Sequence, residues 1–417
     1  MRRSRRLICF VLAALVVSLT ASAQDGADLP SPWALFQEQE GDGPLSAYAR
    51  GLAEEDRYRA SAQRGGYYQM LAQQSARLGA HAAALAQWDA AMGRRADSVG
   101  VLPEGAVAAD AAEYVAERAE AEQVVMVNEA HHDAATRLLT LRLLPLLYER
   151  GYRYFAAETF TPFVTEASAR GYPVASDGHY VDEPVFGALV REAVRLGYTL
   201  VPYEIEEEDQ VESDSLNRQQ RRDLTQAQHL TARIFADDPE AKVLVHAGFG
   251  HIVEEITGFY PMVVYFREIT GIDPLTVDQT ALAARSEPGY DHPVRRAAEA
   301  LGAMEDRPAI LLRADGQPVA VPGRAVDLRV LAPRTERPSL LAFGPPHATA
   351  EVPAACDSGL CLAEVYVPEE PPGVPLDRFV PAASGPVRVV FREGARVRVL
   401  SGETGAVLSD DPLSPDE

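Results

Sequence analysis

One stretch, residues 123–160, constrains the fold of this chain more than any other. It begins with the apolar run 124–127, continues through the polar turn NEAHHD at 128–133, and reaches a leucine-rich segment with helical spacing at 136–150. A second apolar run, 154–157, follows and ends on Glu158. Short apolar runs bounded by polar turns are typical of buried strands, so the stretch predicts a strand, a turn, a helix and a second strand.

A later stretch repeats this arrangement of an apolar run and a polar turn. The run 242–245 precedes the turn HAGFGH at 246–251. In an open α/β sheet, ligands bind outside the carboxyl ends of the strands, and polar residues that follow neighbouring strands meet there. We therefore expect Glu129, His131, Glu158 and His251 to converge on one cavity.

Three further residues lie close to these strand ends. His246 begins the second turn, and Glu204 closes a predicted strand at 198–202, so both are candidates for binding a ligand or a cofactor. The doubled pair His131 and His132 leaves open which histidine faces the cavity.

The alternation of strands and helices predicts an α/β fold with a central mixed or mostly parallel sheet and flanking helices. Its strands include an apolar run at 262–266. A helical segment precedes the sheet, and short β runs between Pro/Gly turns predict a small β-rich domain after it. The predicted boundaries are a signal peptide at 1–23, the helical segment at 24–118, the α/β core at 119–278, a linker at 279–305, the β-rich domain at 306–408 and a disordered tail at 409–417.

The helical segment contains one short repeat-like pattern. Residues 78–91 resemble the central part of a tetratricopeptide-type helix pair, with a turn at Leu78 and Gly79, a small Ala84 and an aromatic Trp88. Repeat folds need about three units to bury a continuous core. A single unit predicts a helical hairpin packed on the main domain rather than a peptide-binding array.

The first residues have the pattern of an export signal. Arginines at positions 2, 3, 5 and 6 precede the apolar run 7–20, and the small residues 21–23 offer a cleavage site. The run is shorter than the roughly 20 residues of a spanning helix, so we expect a periplasmic or secreted protein without membrane insertion of the mature chain. In such an oxidising compartment, Cys356 and Cys361 predict a small disulfide loop.

The charge of the chain limits its partners. Asp and Glu number 61 against 39 Lys and Arg, which gives a formal net charge of -22. Such a surface repels phosphate backbones and excludes nucleic acid as a partner. We expect a small-molecule or peptide ligand, and the acidic surface favours a neutral or cationic one.

The strand-end residues resemble a known group of proteins. Glu129 and His131 in the first turn, Glu158 after the second strand and His251 in the last turn are similar to the erythromycin-esterase-like and ChaN-like haem-binding superfamily, which includes TraB/Tiki-type proteins. In that group a Gly-Glu-x-His turn, a glutamate and a Gly-x-Gly-His turn meet in one pocket, and Asn128 here replaces the first glycine. The resemblance covers the core only and implies an esterase, a metalloprotease-like protein or a haem binder.

The chemistry of these side chains leaves two functions open. A helix dipole disfavours a charged imidazole at a helix start, so we expect His131 and His251 to be neutral bases or metal ligands. With Glu158 they would form a site for activating water, alone or on a divalent metal. The sequence contains no Gly-x-Ser-x-Gly elbow, which disfavours a covalent acyl-enzyme. The first function is a hydrolase of an ester, amide or lactone, and the second is a non-enzymatic haem or iron binder.

Overall fold

The computed structural model describes residues 29–37, 39, 42–93, 100–206, 216–302, 306–343, 347–352, 356, 360–381 and 386–414. The predicted signal peptide lies outside the described residues. Within the described ranges, no helix combines the length and the apolar character that crossing a membrane requires.

A six-stranded parallel sheet forms the centre of the molecule, which confirms the predicted α/β class. The order of its strands is β4-β3-β5-β2-β6-β8, and each neighbouring pair is parallel. The strands are β2 (Val124–Glu129), β3 (Tyr154–Ala157), β4 (Thr199–Pro202), β5 (Val243–Gly248), β6 (Leu275–Asp278) and β8 (Leu328–Arg329).

Both faces of the sheet are buried under helices, which explains why β2 and β5 are almost continuously apolar. Alternate side chains of β2 enter different cores: Val125 and Val127 pack in one cluster, and Val124 and Met126 in the other. The first core is covered by α6 (Ala111–Arg118), α7 (Leu138–Glu149) and α9 (Pro184–Leu196), and the second by α10 (Arg218–Leu230) and α11 (Met262–Thr270). A short helix α8 (Ala167–Arg170) lies in the insert between β3 and α9.

The prediction of a strand at 262–266 is wrong, because these residues begin helix α11. The run is apolar and rich in valine, which suits a buried strand and a buried helix equally well. Pro261 precedes the helix, and the backbone N–H of Met262 donates to the buried Asp223 carboxylate at 3.0 Å. That hydrogen bond satisfies one of the free donors of the helix start.

The core extends further along the chain than residue 278. Strand β8 pairs with β6 and so belongs to the central sheet rather than to the β-rich region. The segment predicted as a linker contains helix α12 (Pro293–Ala300), and its Gln279 is fully buried.

The N-terminal part is helical, as predicted, up to one strand. Its helices are α1 (Pro32–Phe36), α2 (Ser46–Ala53), α3 (Glu55–Arg59), α4 (Arg64–Arg77) and α5 (His81–Met92). Strand β1 (Val107–Asp110) follows and pairs antiparallel with β7 (Ala309–Leu312), which ties this part to the later chain. The pair α4 and α5 is the predicted hairpin.

The C-terminal region is antiparallel and β-rich, as predicted. One sheet has the order β11-β10-β13-β14 and a second pairs β12 with β9. The elements are α13 (Pro338–Ala342), β9 (Ala348–Val352), β10 (Cys361–Tyr366), β11 (Asp377–Phe379), β12 (Val387–Phe391), β13 (Arg396–Ser401) and β14 (Val407–Pro412). Strand β14 includes residues predicted as a disordered tail, so that prediction is wrong for 409–412. Cys356 and Cys361 lie at disulfide-bond distance, with Cα atoms 6.1 Å apart.

The turn between α4 and α5 yields a test of how the helical part packs on the β-rich region. Gly79 has φ +71°, and a Cβ at this position would collide with the backbone carbonyl of Arg378 on β11. We expect Gly79→Ala to lower the free energy of unfolding by about 2–4 kcal/mol, because strain and a backbone clash add. Urea denaturation of the purified chain measures this change.

Gly65 provides the matched control. It lies in α4, and a Cβ there meets nothing within 4 Å. Gly65→Ala should raise the free energy of unfolding by up to about 1 kcal/mol, because alanine favours a helix over glycine. Equal effects of the two substitutions would contradict the packing of Gly79 on β11.

Candidate functional site

The register of the three central strands brings the predicted site residues to one edge of the sheet. Glu129 at the end of β2 lies opposite Gly248 at the end of β5. On the other side of β5, the backbone N–H of Glu158 donates to the carbonyl of His246 at 3.0 Å. The strand ends border a cleft of about 350 Å³, here called the central cleft. It is lined by His131, Glu158, Gln219, Arg222, Gly248, Phe249, Gly250, His251 and Phe259.

The absence of a side chain at Gly248 makes room for the convergence of His131 and Glu158. A Cβ at this position would lie 2.6 Å from Nε2 of His131 and 2.9 Å from Oε2 of Glu158. The imidazole of His131 and the carboxylate of Glu158 therefore approach the same point beside Gly248, and Nε2 of His131 faces this point.

His131 is held by the buried carboxylate of Glu129. Its Nδ1 lies 2.7 Å from Oε1 of Glu129, and Nε of the buried Arg137 lies 2.5 Å from Oε2 of the same carboxylate. Arg137 in turn donates to Glu183 at 2.6 Å. Burial alone would raise the pKa of Glu129, but the Arg137 charge and the hydrogen bonds of His131 and His246 hold this pKa well below its usual range.

His251 is held by a second buried carboxylate. Its Nδ1 lies 2.7 Å from Oδ1 of Asp223, and its Nε2 lies 3.5 Å from Oε1 of Glu158 and 3.2 Å from Nη1 of Arg222. Burial opposes the charged ring, but the carboxylates of Glu158 and Asp223 outweigh it and raise the pKa of His251 to about 10. The expectation of a neutral His251 is therefore wrong, because two carboxylates act on the ring and the next helix starts only at Met262.

Glu158 is ionised and tied to Arg222. Burial would raise the pKa of Glu158, but the charges of His251, Arg222 and His131 hold it well below its usual range. Nη2 of Arg222 forms an ion pair with Glu158 and with Glu204, and Nε of Arg222 donates to Glu204 at 2.9 Å. Glu204 thus positions Arg222 and is not among the residues that line the central cleft.

The two remaining histidine candidates lie beside or below the cleft. His132 is buried, and its ring stacks on Trp88 of α5 with centroids 3.9 Å apart, so His131 is the member of the pair that faces the cleft. Burial holds the pKa of His132 well below its usual range. His246 is also buried, with Nδ1 2.9 Å from Oγ1 of Thr140 and Nε2 3.3 Å from Glu129. His246 therefore contacts the Glu129 carboxylate and is not among the residues that line the central cleft, where it was predicted to bind a cofactor.

Sequence reasoning missed the residues that give the site its charge. Arg222 and Asp223 lie on α10, and Arg137 follows the first turn. The run of arginines at 218, 221 and 222 was the available signal, but helical spacing does not reveal which of them reaches the sheet edge. Tyr180, from the insert after β3, was also missed, and its ring lies 5.0 Å from that of His131.

The donor set does not fit the metal site predicted from His131, Glu158 and His251. The guanidinium of Arg222 pairs with Glu158 and lies 3.2 Å from Nε2 of His251, so a cation already occupies the side of these ligands that a metal would take. Within the described ranges, no group of three or more His, Cys, Asp or Glu side chains is arranged to hold a metal ion.

Comparisons of the chain with protein-family models, with curated proteins and with solved structures found no match. The resemblance of the strand-end turns to the erythromycin-esterase-like and ChaN-like superfamily therefore stays a hypothesis.

The raised pKa of His251 predicts a specific dependence of stability on pH. The folded-state pKa of about 10 lies above the usual value near 6.5, so the charged ring stabilises the fold below pH 6.5 and loses this contribution as the pH rises through 10. We expect the stability advantage of the wild type over His251→Gln to shrink by at least about 1.4 kcal/mol, the value of one pKa unit, between pH 6 and pH 10. Urea denaturation at both pH values measures it.

Met92→Ala is the control, because Met92 is exposed at the end of α5 and carries no titratable group. Its effect should be the same at both pH values. An advantage of His251 that does not change with pH would contradict the charged ring and would indicate a neutral imidazole that accepts a hydrogen bond from Arg222.

Proposed function

We propose that the protein is a hydrolase that activates water directly and cleaves an ester, amide or lactone without a covalent acyl-enzyme. One observation carries this proposal: two imidazole rings line one cleft, and each is fixed at Nδ1 by a carboxylate 2.7 Å away. Such a carboxylate sets the tautomer and the orientation of the ring, which leaves Nε2 for chemistry.

The environments of the two rings differ, and the difference assigns their roles. The carboxylate that holds His131 also binds the cation Arg137, so its negative charge is shared. The described residues that bind the Asp223 carboxylate beside His251 are neutral: the Gln219 side-chain amide and the Met262 N–H. Groups in different electrostatic environments of one site commonly take different roles in acid–base catalysis. His131 is the general base, and charged His251 is the electrophilic partner.

The reaction follows from these positions. Nε2 of His131 takes a proton from a water molecule, and the oxygen of that water attacks the carbonyl carbon of the substrate. The tetrahedral intermediate carries a negative oxygen, which Arg222 and the His251 imidazolium stabilise. The intermediate collapses as the His131 imidazolium returns its proton to the leaving oxygen or nitrogen.

Glu158 keeps the positive groups in place. Its ionised carboxylate binds Arg222 and lies beside His251, and it accepts the backbone N–H of Gly248. Without Glu158, two cations would repel each other at the edge of the cleft. We therefore assign Glu158 to positioning rather than to proton transfer.

Haem binding is the second candidate, and one observation favours it. A histidine that offers Nε2 to a cleft and binds a carboxylate through Nδ1 has the arrangement of a haem-ligating residue. His131 would then be the residue that holds the haem iron.

Substitutions at His131 test the hydrolase. We expect His131→Ala and His131→Gln to lower kcat for a reactive ester such as p-nitrophenyl acetate by a factor of order 100 or more, because the general base is lost. Glu129→Gln should lower kcat as well. His347→Ala, in the β-rich region, should leave kcat unchanged, and circular dichroism should report folded protein for the His131 and His347 variants. Full activity of His131→Gln would contradict the assignment.

Gly248→Ala is a sharper probe, because it adds one methyl group between His131 and Glu158. The added methyl group meets the imidazole of His131 and the carboxylate of Glu158, which hydrogen-bonded partners hold in place. We therefore expect a loss of stability of about 1–3 kcal/mol and a loss of kcat of order 100. Steady-state kinetics and urea denaturation of one preparation compare the two losses. A variant with normal kcat would place the reacting atoms elsewhere.

Titration with haem separates the two candidate functions. A hydrolase should show no saturable Soret change at one equivalent of haem, and dialysis against EDTA should leave its esterase activity intact. A Soret band that forms in the wild type and disappears in His131→Ala, together with no hydrolysis, would favour the haem binder.

A further inference from the structure

A second cleft also borders His131. It has a volume of about 270 Å³, lies between the N-terminal helices α1 and α4 and the insert after β3, and is here called the N-terminal cleft. The side chains that define it are Trp33, Phe36, Met70, Gln73, Gln74 and His131. Because His131 belongs to both clefts, a molecule whose carbonyl group lies at this ring can extend into the N-terminal cleft.

The positive charge of Arg77 in this cleft is already paired with a carboxylate. Arg77 is part of the lining, but its Nε and Nη2 donate to Asp182 at 3.0 and 2.9 Å. The other lining side chains are apolar, carry neutral amides, or are the imidazoles of His131 and His179 and the phenol of Tyr180. A charged group that entered would lose hydration and would find the Arg77 charge already paired, which disfavours its binding. The cleft therefore suits an uncharged group.

Two features of the lining lack a role in the fold. Trp33 is 63% exposed at the mouth of the cleft, although large aromatic rings usually bury most of their surface. The hydroxyl of Tyr180 is buried and has no hydrogen-bond partner among the described residues. Burial, Glu129 and Glu158 hold the pKa of Tyr180 well above its usual range, so the hydroxyl keeps its proton and can donate it to a ligand.

We infer that the N-terminal cleft is the subsite for an uncharged apolar arm of the substrate, and that the substrates are neutral esters or amides with such an arm. This inference rests on the proposed hydrolase. The arm packs on Trp33, Phe36 and Met70, the Tyr180 hydroxyl donates to a polar atom of the ligand, and the carbonyl group lies at His131. Each buried methylene contributes about 0.8 kcal/mol, or roughly fourfold in binding.

Hydrolysis of p-nitrophenyl esters of increasing acyl length tests the subsite. In the wild type, kcat/KM should rise at least tenfold from the acetate to the octanoate. Trp33→Ala and Met70→Ala should each reduce the octanoate-to-acetate ratio by about fivefold or more, because packing surface is lost. Met92→Ala is the matched control: Met92 is an exposed methionine at the end of α5 outside the cleft, and its variant should keep the wild-type ratio. Equal ratios in all four proteins would overturn the inference while leaving the hydrolase intact.

Ligand binding supplies a readout that needs no hydrolysis. The chain contains two tryptophans, and Trp33 is the one in the cleft. Octanamide should change the tryptophan fluorescence of the wild type in a saturable way, and octanoate should bind at least tenfold more weakly because its charge is not matched. The change should be lost in Trp33→Phe. If no ester is hydrolysed but octanamide binds in this way, the proposed function fails and the subsite stands. No response to octanamide, or equal affinity for octanoate, overturns the subsite.

Discussion

The buried ion pair between Glu129 and Arg137 is the interaction on which the rest of the site depends. Both side chains are almost fully buried, and buried charges are tolerated only when partners satisfy them. Arg137 extends the network to Glu183, whose carboxylate also accepts the first backbone N–H groups of α9, from Val185 and Phe186. The end of β2, the turn after it and the start of α9 are thus fixed by one set of charges. The Glu129 carboxylate of this network binds Nδ1 of His131 and so fixes the orientation of the ring.

Trp88 of α5 links the N-terminal helices to the two turns of the site. Trp88 stacks on His132 and, with centroids 5.2 Å apart, on Phe249. Phe249 has φ +34°, a conformation that costs free energy for a bulky residue, and its backbone N–H donates to the carbonyl of Glu129 at 3.0 Å. Packing from α5 therefore holds the second turn against the first. This contact also explains why His132 turns away from the cleft while His131 faces it.

The sequence predicted the parts of the site that depend on strand ends and missed the parts that depend on helix packing. Glu129, His131, Glu158 and His251 lie near apolar runs, and parallel pairing brings such residues together. Arg222 comes from a helix, where the amphipathic pattern defines a face but not the side chain that reaches the sheet edge. Periodicity failed at 262–266 for a related reason, because a short apolar run has no period that separates a strand from a helix. The hydrogen bond from Met262 to Asp223 depends on residues 39 positions apart, which no local pattern contains.

Asp223 binds both a helix of the fold, α11, and a candidate catalytic residue, His251. The same oxygen, Oδ1, lies 2.7 Å from Nδ1 of His251 and accepts the N–H of Met262 at the start of α11. The hydrogen bond from Met262 ties the start of α11 to the carboxylate that holds His251. The Asp223 carboxylate and Glu158 together favour the charged form of His251. The helix that the sequence pattern obscured therefore helps to position the carboxylate that raises the pKa of His251, whereas the carboxylate that holds His131 is positioned by Arg137.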